Sequence, residues 1–317
     1  MKKIAIVVHG GAGPDSDHIK ENKEGYEKGI EEAIDAGYRI LKKGGSAVDA
    51  VEAAVKKLED NPVFNAGRGS ALNAKAEVET CASIMRGEDL ASGAVAIVRN
   101  VKNPVSLARA LMEKSKHIYL GNQGALEFAK EANVPLAPDS YFITEHQYEA
   151  FEEKMKELKG NSEKRVNGIA LQEINERMHG TVGAVALDIS GKLAAATSTG
   201  GTEGCHSGRI GDTSMIGVGC YANNDTIAVS TTGDGEYLIQ HVIGFQLSSV
   251  VEYKNLPLKE AAHYLIKDKL KHVEGDMGLI AVDPKGNIAL EFNSERMHRG
   301  YRTSDGQSMV AIYPGEG

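Results

Sequence analysis

The chain has 317 residues, 41% hydrophobic and 25% charged, enough to bury a full core as one large domain or two closely packed halves. Its formal net charge of −8, with basic residues dispersed among acidic ones, offers no cationic stripe to a nucleic-acid backbone. No apolar run reaches the roughly eighteen residues that cross a bilayer, and Ile4 to Val8 behind Met1-Lys2-Lys3 are too few for a secretory signal. Three cysteines, Cys81, Cys205 and Cys220, form neither an even framework nor a CxxC pair, which fits a reducing, cytoplasmic setting.

In chain order, Ile4 to His9 reads as a buried strand running into a glycine turn. Ile30, Ala33, Ile34, Tyr38 and Leu41 recur at helical spacing until Gly44-Gly45 stops them. Ser46, three residues before Asp49, caps a second helix whose inner stripe is Val48, Val51, Val55 and Leu58. Gly93 to Val98 reads as a strand, Pro104 to Lys116 as a helix with proline in its first turn, and Gln123 to Ala132 as another helix. Tyr148 to Met178 turns charged and polar, as expected of a mobile connector (148–178) or of a solvated surface helix ending in a loop. Strands follow at Val182 to Leu187, Leu193 to Thr199, Met215 to Cys220 and Thr226 to Thr232, close enough for antiparallel hairpins. Helices at Tyr237 to Ser249 and Leu258 to Leu270 precede a last hairpin of Gly278 to Val282 with Ile288 to Phe292. Strands grouped with helices on either side argue for an α/β protein with sheets between helical layers.

The sequence lacks HExxH, GxSxG and Walker A patterns and any cysteine set with zinc spacing. His9-Gly10-Gly11-Ala12-Gly13 follows a strand but has no Lys-Ser/Thr partner, so it reads as a tight turn that shapes a site rather than a phosphate cradle. The informative segment is His179-Gly180-Thr181-Val182-Gly183-Ala184-Val185, where a polar stretch meets a buried strand. Cutting the Gly180–Thr181 bond would give Thr181 an α-amino group, whose reference pKa of about 7.7–8 suits a general base for its own hydroxyl. Gly180 tolerates the backbone geometry such an attack needs. Gly-Thr before a strand is by itself also an ordinary strand start. Hydroxyls beside glycines recur at Thr197-Ser198-Thr199-Gly200-Gly201 and at Ser230-Thr231-Thr232-Gly233-Asp234-Gly235-Glu236, where they expose the backbone N–H groups an oxyanion hole requires. Arg209 and Asp212 in Gly208-Arg209-Ile210-Gly211-Asp212 either hold the carboxylate and ammonium of an amino-acid substrate or form a surface pair with each other.

Taken together, HGGAG at 9–13, Phe64-Asn65-Ala66-Gly67, HGTVGAVALD at 179–188, ATSTGG at 196–201, GRIGD at 208–212 and STTGDGE at 230–236 resemble the plant-type asparaginase and isoaspartyl peptidase group of N-terminal nucleophile hydrolases. The resemblance spans nearly the whole chain. It implies a four-layer αββα fold with two mainly antiparallel sheets, and autocleavage into residues 1–180 and 181–317, which remain one structural domain and pair as a homodimer. It makes Thr181 the nucleophile and Thr199 the neighbour bonded to it, with Asn65 in support. Thr232 and Gly233 become the oxyanion hole, Arg209 and Asp212 the clamps for α-carboxylate and α-amino group, and the Gly235 carbonyl a further partner of the ammonium. Leu58, Glu59, Asn61, Phe64, Ala66 and Arg68 resemble the family's sodium loop, which binds a structural Na+ through main-chain carbonyls; no cofactor is implied for catalysis. The chain departs from the family pattern at Cys81 and Arg86, where Asp is usual, around Cys205-His206-Ser207, and at Thr213-Ser214 after Asp212. Cys205-His206 is two candidate ligands without a third, so no transition metal is expected.

The implied reaction is hydrolysis of L-asparagine or β-aspartyl dipeptides through a β-aspartyl ester. Ordinary peptides, lacking the free α-groups, would be poor substrates. A glycosylasparaginase-type activity lacks here its TGNGD-like stretch and secretory signal. A catalytically silent aspartate-binding protein of the same fold, or a nucleotide-binding protein using His9 to Gly13, are the readings from other classes.

Overall fold

Ile6 and Val8 face one apolar core while Ala5 and Val7 face another, so the first strand is buried on both sides and its pattern is continuous rather than alternating. The computed structural model describes residues 3–164 and 180–316. Its strands are β1 (Ala5–Gly13), β2 (Thr80–Arg86), β3 (Ser92–Val98), β4 (Tyr119–Gly121), β5 (Val182–Leu187), β6 (Leu193–Thr199), β7 (Cys220–Ala222), β8 (Ala228–Gly233), β9 (Met277–Val282), β10 (Ile288–Phe292), β11 (Arg296–Thr303) and β12 (Ser308–Ala311). Eight of them form one sheet in the order β12-β11-β1-β5-β6-β2-β3-β4, antiparallel except for the β3–β4 edge. The other four form an antiparallel sheet, β10-β9-β8-β7.

The helices are α1 (Asp17–Glu21), α2 (Lys23–Lys42), α3 (Ala47–Asp60), α4 (Pro104–Lys114), α5 (Asn122–Glu131), α6 (Asp139–Phe142), α7 (Glu145–Lys164), α8 (Gly235–His241), α9 (Ile243–Lys254) and α10 (Leu258–His263). Ile30 and Ile34 of α2, Val51 and Val55 of α3, and Leu107 and Leu111 of α4 pack on the outer face of the large sheet. Leu247 of α9 and Ala261 and Ala262 of α10 cover the small sheet, whose inner side meets Val185, Leu193 and Ala195 of the large one. The result is helices, sheet, sheet, helices, as the sequence predicts. Both pieces flanking residue 180 interleave in the large sheet, because β5 lies between β1 and β6 and β6 beside β2. Among the described residues no helix is long and apolar enough to cross a membrane.

The Ser46 cap is present, its hydroxyl accepting the Asp49 N–H at 3.1 Å. Several local expectations are corrected. His9 to Gly13 is not a turn: β1 continues through it, kinked by a bulge between His9 and Gly11 against β11. Residues 215–219 form a turn, closed by bonds from the Val218 and Gly219 N–H groups to the Met215 carbonyl, and the strand begins only at Cys220. The helix expected over 237–249 is two helices broken at Val242, which adopts left-handed φ 47° and ψ 50°. Leu258 to Leu270 is α10 followed by a π-helical turn at Tyr264–Lys269. The connector is helical as far as Lys164, its remainder (165–178) lying outside the described residues. The sequence pattern does not reveal strands β2, β4, β11 and β12.

Val242 is β-branched and 43% exposed in a conformation that costs an L-residue about 1–2 kcal/mol. Val242→Gly is therefore expected to raise stability, by roughly 1 kcal/mol, seen as a higher urea midpoint with unchanged slope.

Candidate active site

Antiparallel pairing of Val182 with Ser198 brings Thr181, just before β5, beside Thr199, the last residue of β6. Both are 5% exposed. The Thr181 hydroxyl donates to the Thr199 hydroxyl at 3.4 Å, and the Thr199 hydroxyl donates to the Gly180 carbonyl at 3.3 Å. One side chain thus touches both the oxygen that could attack and the carbonyl that could be attacked. From the facing sheet, the Thr232 hydroxyl of β8 accepts the N–H of Thr181 at 3.4 Å and that of Ala12 at 3.1 Å, leaving its own proton to donate. Gly233 follows at φ 130°, where a Cβ would lie 2.1 Å from the Asp276 carbonyl, so no side chain fits. Asn65, between α3 and β2, accepts from the Ala71 N–H at 2.8 Å and donates to the Gly201 carbonyl at 2.7 Å. It therefore braces the loop after Thr199 rather than touching Thr181.

A small cleft is lined by Gly180, Thr181, Thr199, Arg209, Asp212, Gly233 and Gly235 among others, so the structure unites most of the expected site residues. Gly235 opens α8, and a Cβ there would fall 3.0 Å from Arg209 Nη2 and 3.1 Å from Asp212 Oδ1. Asp212 is buried, accepts from the Thr231 hydroxyl at 3.0 Å, and is pushed by burial up to about 6. Arg209 does not pair with Asp212. Its fork is taken bidentately by Glu236, at 2.9 Å from Nε and 2.6 Å from Nη2. Sequence reading assigned Glu236 no role, although an acid in the first turn of a helix beside the arginine loop was a usable signal.

Further polar groups lie between the sheets. His9 Nε2 is 2.8 Å from the Ser230 hydroxyl, which is 2.7 Å from that of Thr197. Burial pushes His9 down to about 3, so it is a neutral ring and not an acid at neutral pH. On the opposite, helical face of the large sheet, Glu59 of α3 is pushed up to about 8 by burial; Oε1 accepts from the Ser198 hydroxyl at 2.7 Å and the Val105 N–H at 2.9 Å. The loop it begins is tightly wound. Its carbonyls at Leu58, Glu59, Asn61 and Phe64 accept N–H groups from Asn61, Arg68, Phe64 and Ala66.

The departures from the family pattern fall in different places. Cys81 pairs with Thr199 across β2 and β6 but is buried, its thiol pushed up to about 11 by burial, so it underlies the cleft rather than rimming it. Arg86 is tied to Asp89 at the exposed end of β2, away from the cleft. The turn at Cys205-His206-Ser207 is held by Glu79, which accepts from the Ser207 hydroxyl at 3.3 Å and the Gly208 N–H at 2.8 Å.

Two stacked sheets between helical layers, with a threonine hydroxyl buried where the sheets meet, define the fold of the N-terminal nucleophile hydrolases. The chain belongs to the asparaginase family, which matches residues 2–312, and is a hydrolase. It is 39% identical to the isoaspartyl peptidase of Escherichia coli over 319 residues, covering 100% of this chain and 98% of that one. It is 41% identical to the isoaspartyl peptidase/L-asparaginase of Xenopus laevis over 314 residues (99% and 96%) and 45% identical to that of Macaca fascicularis over 298 residues (94% and 92%).

Asp212 carries a prediction about stability. Its carboxyl titrates higher in the folded than in the unfolded chain, so its contribution is full below the unfolded value and is lost as pH rises through about 6. The loss is on the order of 2–3 kcal/mol. Asp212→Asn, which cannot ionise, should lose less stability than wild type between pH 4 and 8 in denaturant titrations.

Proposed function

We propose that the chain cleaves itself between Gly180 and Thr181 and that the freed Thr181 hydrolyses L-asparagine and β-aspartyl dipeptides. The observation that carries the reading is the contact of Thr199 with both the Thr181 hydroxyl and the Gly180 carbonyl. In the precursor, Thr181 Oγ1 adds to the Gly180 carbonyl carbon while Thr199 hydrogen-bonds its oxygen. Collapse breaks the C–N bond and transfers the Gly180 acyl group to Oγ1, and the nitrogen takes up the hydroxyl proton. Water then hydrolyses the ester to a Gly180 carboxylate and a free Thr181.

In the mature enzyme the Thr181 amino group takes the proton from its own hydroxyl as Oγ1 attacks the substrate's β-carbonyl. The Thr232 hydroxyl and the Gly233 N–H are the oxyanion donors. Arg209 takes the substrate α-carboxylate, and Asp212 with the Gly235 carbonyl takes the ammonium. The Thr181 ammonium returns its proton to the leaving nitrogen, ammonia or an amino acid departs, and water hydrolyses the β-aspartyl ester. The names of the E. coli and Xenopus relatives support both substrate classes.

We further infer that two processed protomers pair, that the enzyme works in the cytoplasm, and that the loop at 58–68 holds sodium. Leu58, Glu59, Asn61, Phe64, Ala66 and Arg68 would supply main-chain carbonyls. The wound loop supports this, since a carbonyl that accepts one N–H keeps a second lone pair. Exchanging sodium for choline at fixed ionic strength is then expected to lower the thermal midpoint.

Denaturing mass spectrometry tests the central claim. Wild type should give one fragment ending at Gly180 and one beginning at Thr181, while Thr181→Ala stays whole and inactive. A wild-type chain that remains intact on prolonged incubation yet binds L-aspartate would instead be the silent binding protein.

A further inference from the structure

Behind Gly180, on the helical side of the large sheet, lies a second cleft enclosing about 620 Å³ including its open mouth. Gly180 lines this cleft and the Thr181 cleft alike, and so forms part of the wall between them. Arg296 of β11 lines it while only 6% exposed, and its Nε has no hydrogen-bond partner. Among the described residues Arg296 forms no ion pair; the carboxylates of Asp15 and Asp276 act on it from beyond that distance. Its Nη1 lies 3.3 Å from Nδ1 of His298, whose ring stacks on Tyr26 at 4.3 Å.

Glu203, 4% exposed, also lines the cleft. Its Oε1 accepts the Leu72 N–H at 3.1 Å, while Oε2 has no partner. Burial pushes this carboxyl up to about 8, so at neutral pH it presents a donor and not a repelling charge. A buried guanidinium and a buried carboxylic acid, each with an unpaired polar atom, are costly unless something with acceptor oxygens and negative charge completes them. That chemistry is a carboxylate's.

The proposed reaction supplies one in the right direction. The leaving nitrogen must sit within hydrogen-bond reach of the Thr181 amino group, which was bonded to the Gly180 carbonyl carbon before cleavage. The space that Gly180 vacates on cleavage adjoins that nitrogen and opens to the cleft behind, and a leaving amino acid placed there directs its α-carboxylate, whose carbon is two bonds from the nitrogen, into that cleft. We propose that this cleft is the subsite for the leaving residue of a β-aspartyl dipeptide, with Arg296 as counter-ion of its free α-carboxylate and Glu203 as a donor to it. This rests on the dipeptidase reading above. The new carboxylate of Gly180 has the same chemistry and is the competing source.

The test compares a β-aspartyl dipeptide, the same dipeptide with a C-terminal carboxamide, and L-asparagine, whose leaving group carries no carboxylate. Wild-type mature enzyme should prefer the acid over the amide by about 10–100-fold in kcat/KM, mainly through KM. In Arg296→Met, of similar length and without the buried charge, that preference should collapse, and the kcat/KM ratio of dipeptide to L-asparagine should fall by a similar factor. Equal use of acid and amide by wild type overturns the subsite, and needs no variant to fold. An Arg296→Met enzyme impaired equally on all three substrates also overturns it and makes Arg296 structural. Slow autocleavage in that variant, without substrate discrimination in wild type, would assign Arg296 to the Gly180 carboxylate and likewise overturn it. A wild-type enzyme that hydrolyses none of the three sinks the functional reading itself, and the subsite with it.

Discussion

Strand β5 is paired on both sides, with β1 and β6, and it is this double registration that places Thr181. Side chains alternate across a strand, so Val182, Ala184 and Ala186 enter the helical core while Val185 and Leu187 enter the core between the sheets. Thr181 shares the parity of Val185; its hydroxyl meets that of Thr199, and its backbone N–H reaches Thr232 of the second sheet. A slip of one residue would turn it toward the helices and exchange every buried side chain of β5 for its neighbour. The packing that stabilises the sandwich is thus also what aims the hydroxyl. Since β1, β2 and β3 come from before residue 180 and β5, β6 and β11 from after it, a cut there would remove one covalent bond while leaving the interleaved sheet.

The space between the sheets is unusually polar for a core, and its polar groups are largely paired across it. Ser230 links His9 to Thr197, and Ser83 donates to the Thr213 carbonyl. On the helical face of the large sheet a similar network has Glu59 linking Ser198 of β6 to the N-terminus of α4 through Val105. Networks of this kind are expensive when incomplete, so they specify one arrangement of strands more sharply than apolar contacts of the same area. Burial keeps His9 and Glu59 neutral at neutral pH, and Asp212 is the buried acid beside the candidate nucleophile whose shift leaves it mostly ionised there.

What could be read from the sequence follows the same physics. Helices α2, α3 and α4 were legible because one face of each is apolar at helical spacing, and VGAVAL and LAAATST because both faces of those strands are buried. The hydroxyl-glycine motifs pointed to the cleft because a strand end with a bare backbone is recognisable locally. Strand β2, TCASIMR, is not legible, since its small polar residues find partners only in the fold, Thr80 in the Val98 carbonyl and Ser83 in that of Thr213, far along the chain. Strand β11, RMHRGYRT, reads as a charged loop. Arg299 is buried there because the carbonyls of Met297, Tyr313 and Glu316 surround its guanidinium, a relation no local pattern carries. The pairing of Arg209 with Glu236 is of the same kind: both residues stood in recognised motifs, but which acid met the arginine was decided by where α8 begins.

Under the proposed reaction, that pairing makes substrate binding an exchange rather than an addition. Arg209 can offer its fork to an incoming carboxylate only as Glu236 yields it, and the Glu236 side chain is 51% exposed against 17% for Arg209. The released acid can therefore turn to water, while the guanidinium stays in place. Asp212, raised by burial to about 6, gains from an arriving ammonium the charge partner that Arg209 does not give it within ion-pair distance. A ligand bearing only one of the two charges would displace Glu236 without completing Asp212, or complete Asp212 while leaving Arg209 engaged. Only an α-amino acid unit with both groups free does both, and this physical basis for rejecting ordinary peptides lies in three charged side chains around Gly235, where no Cβ stands in the way.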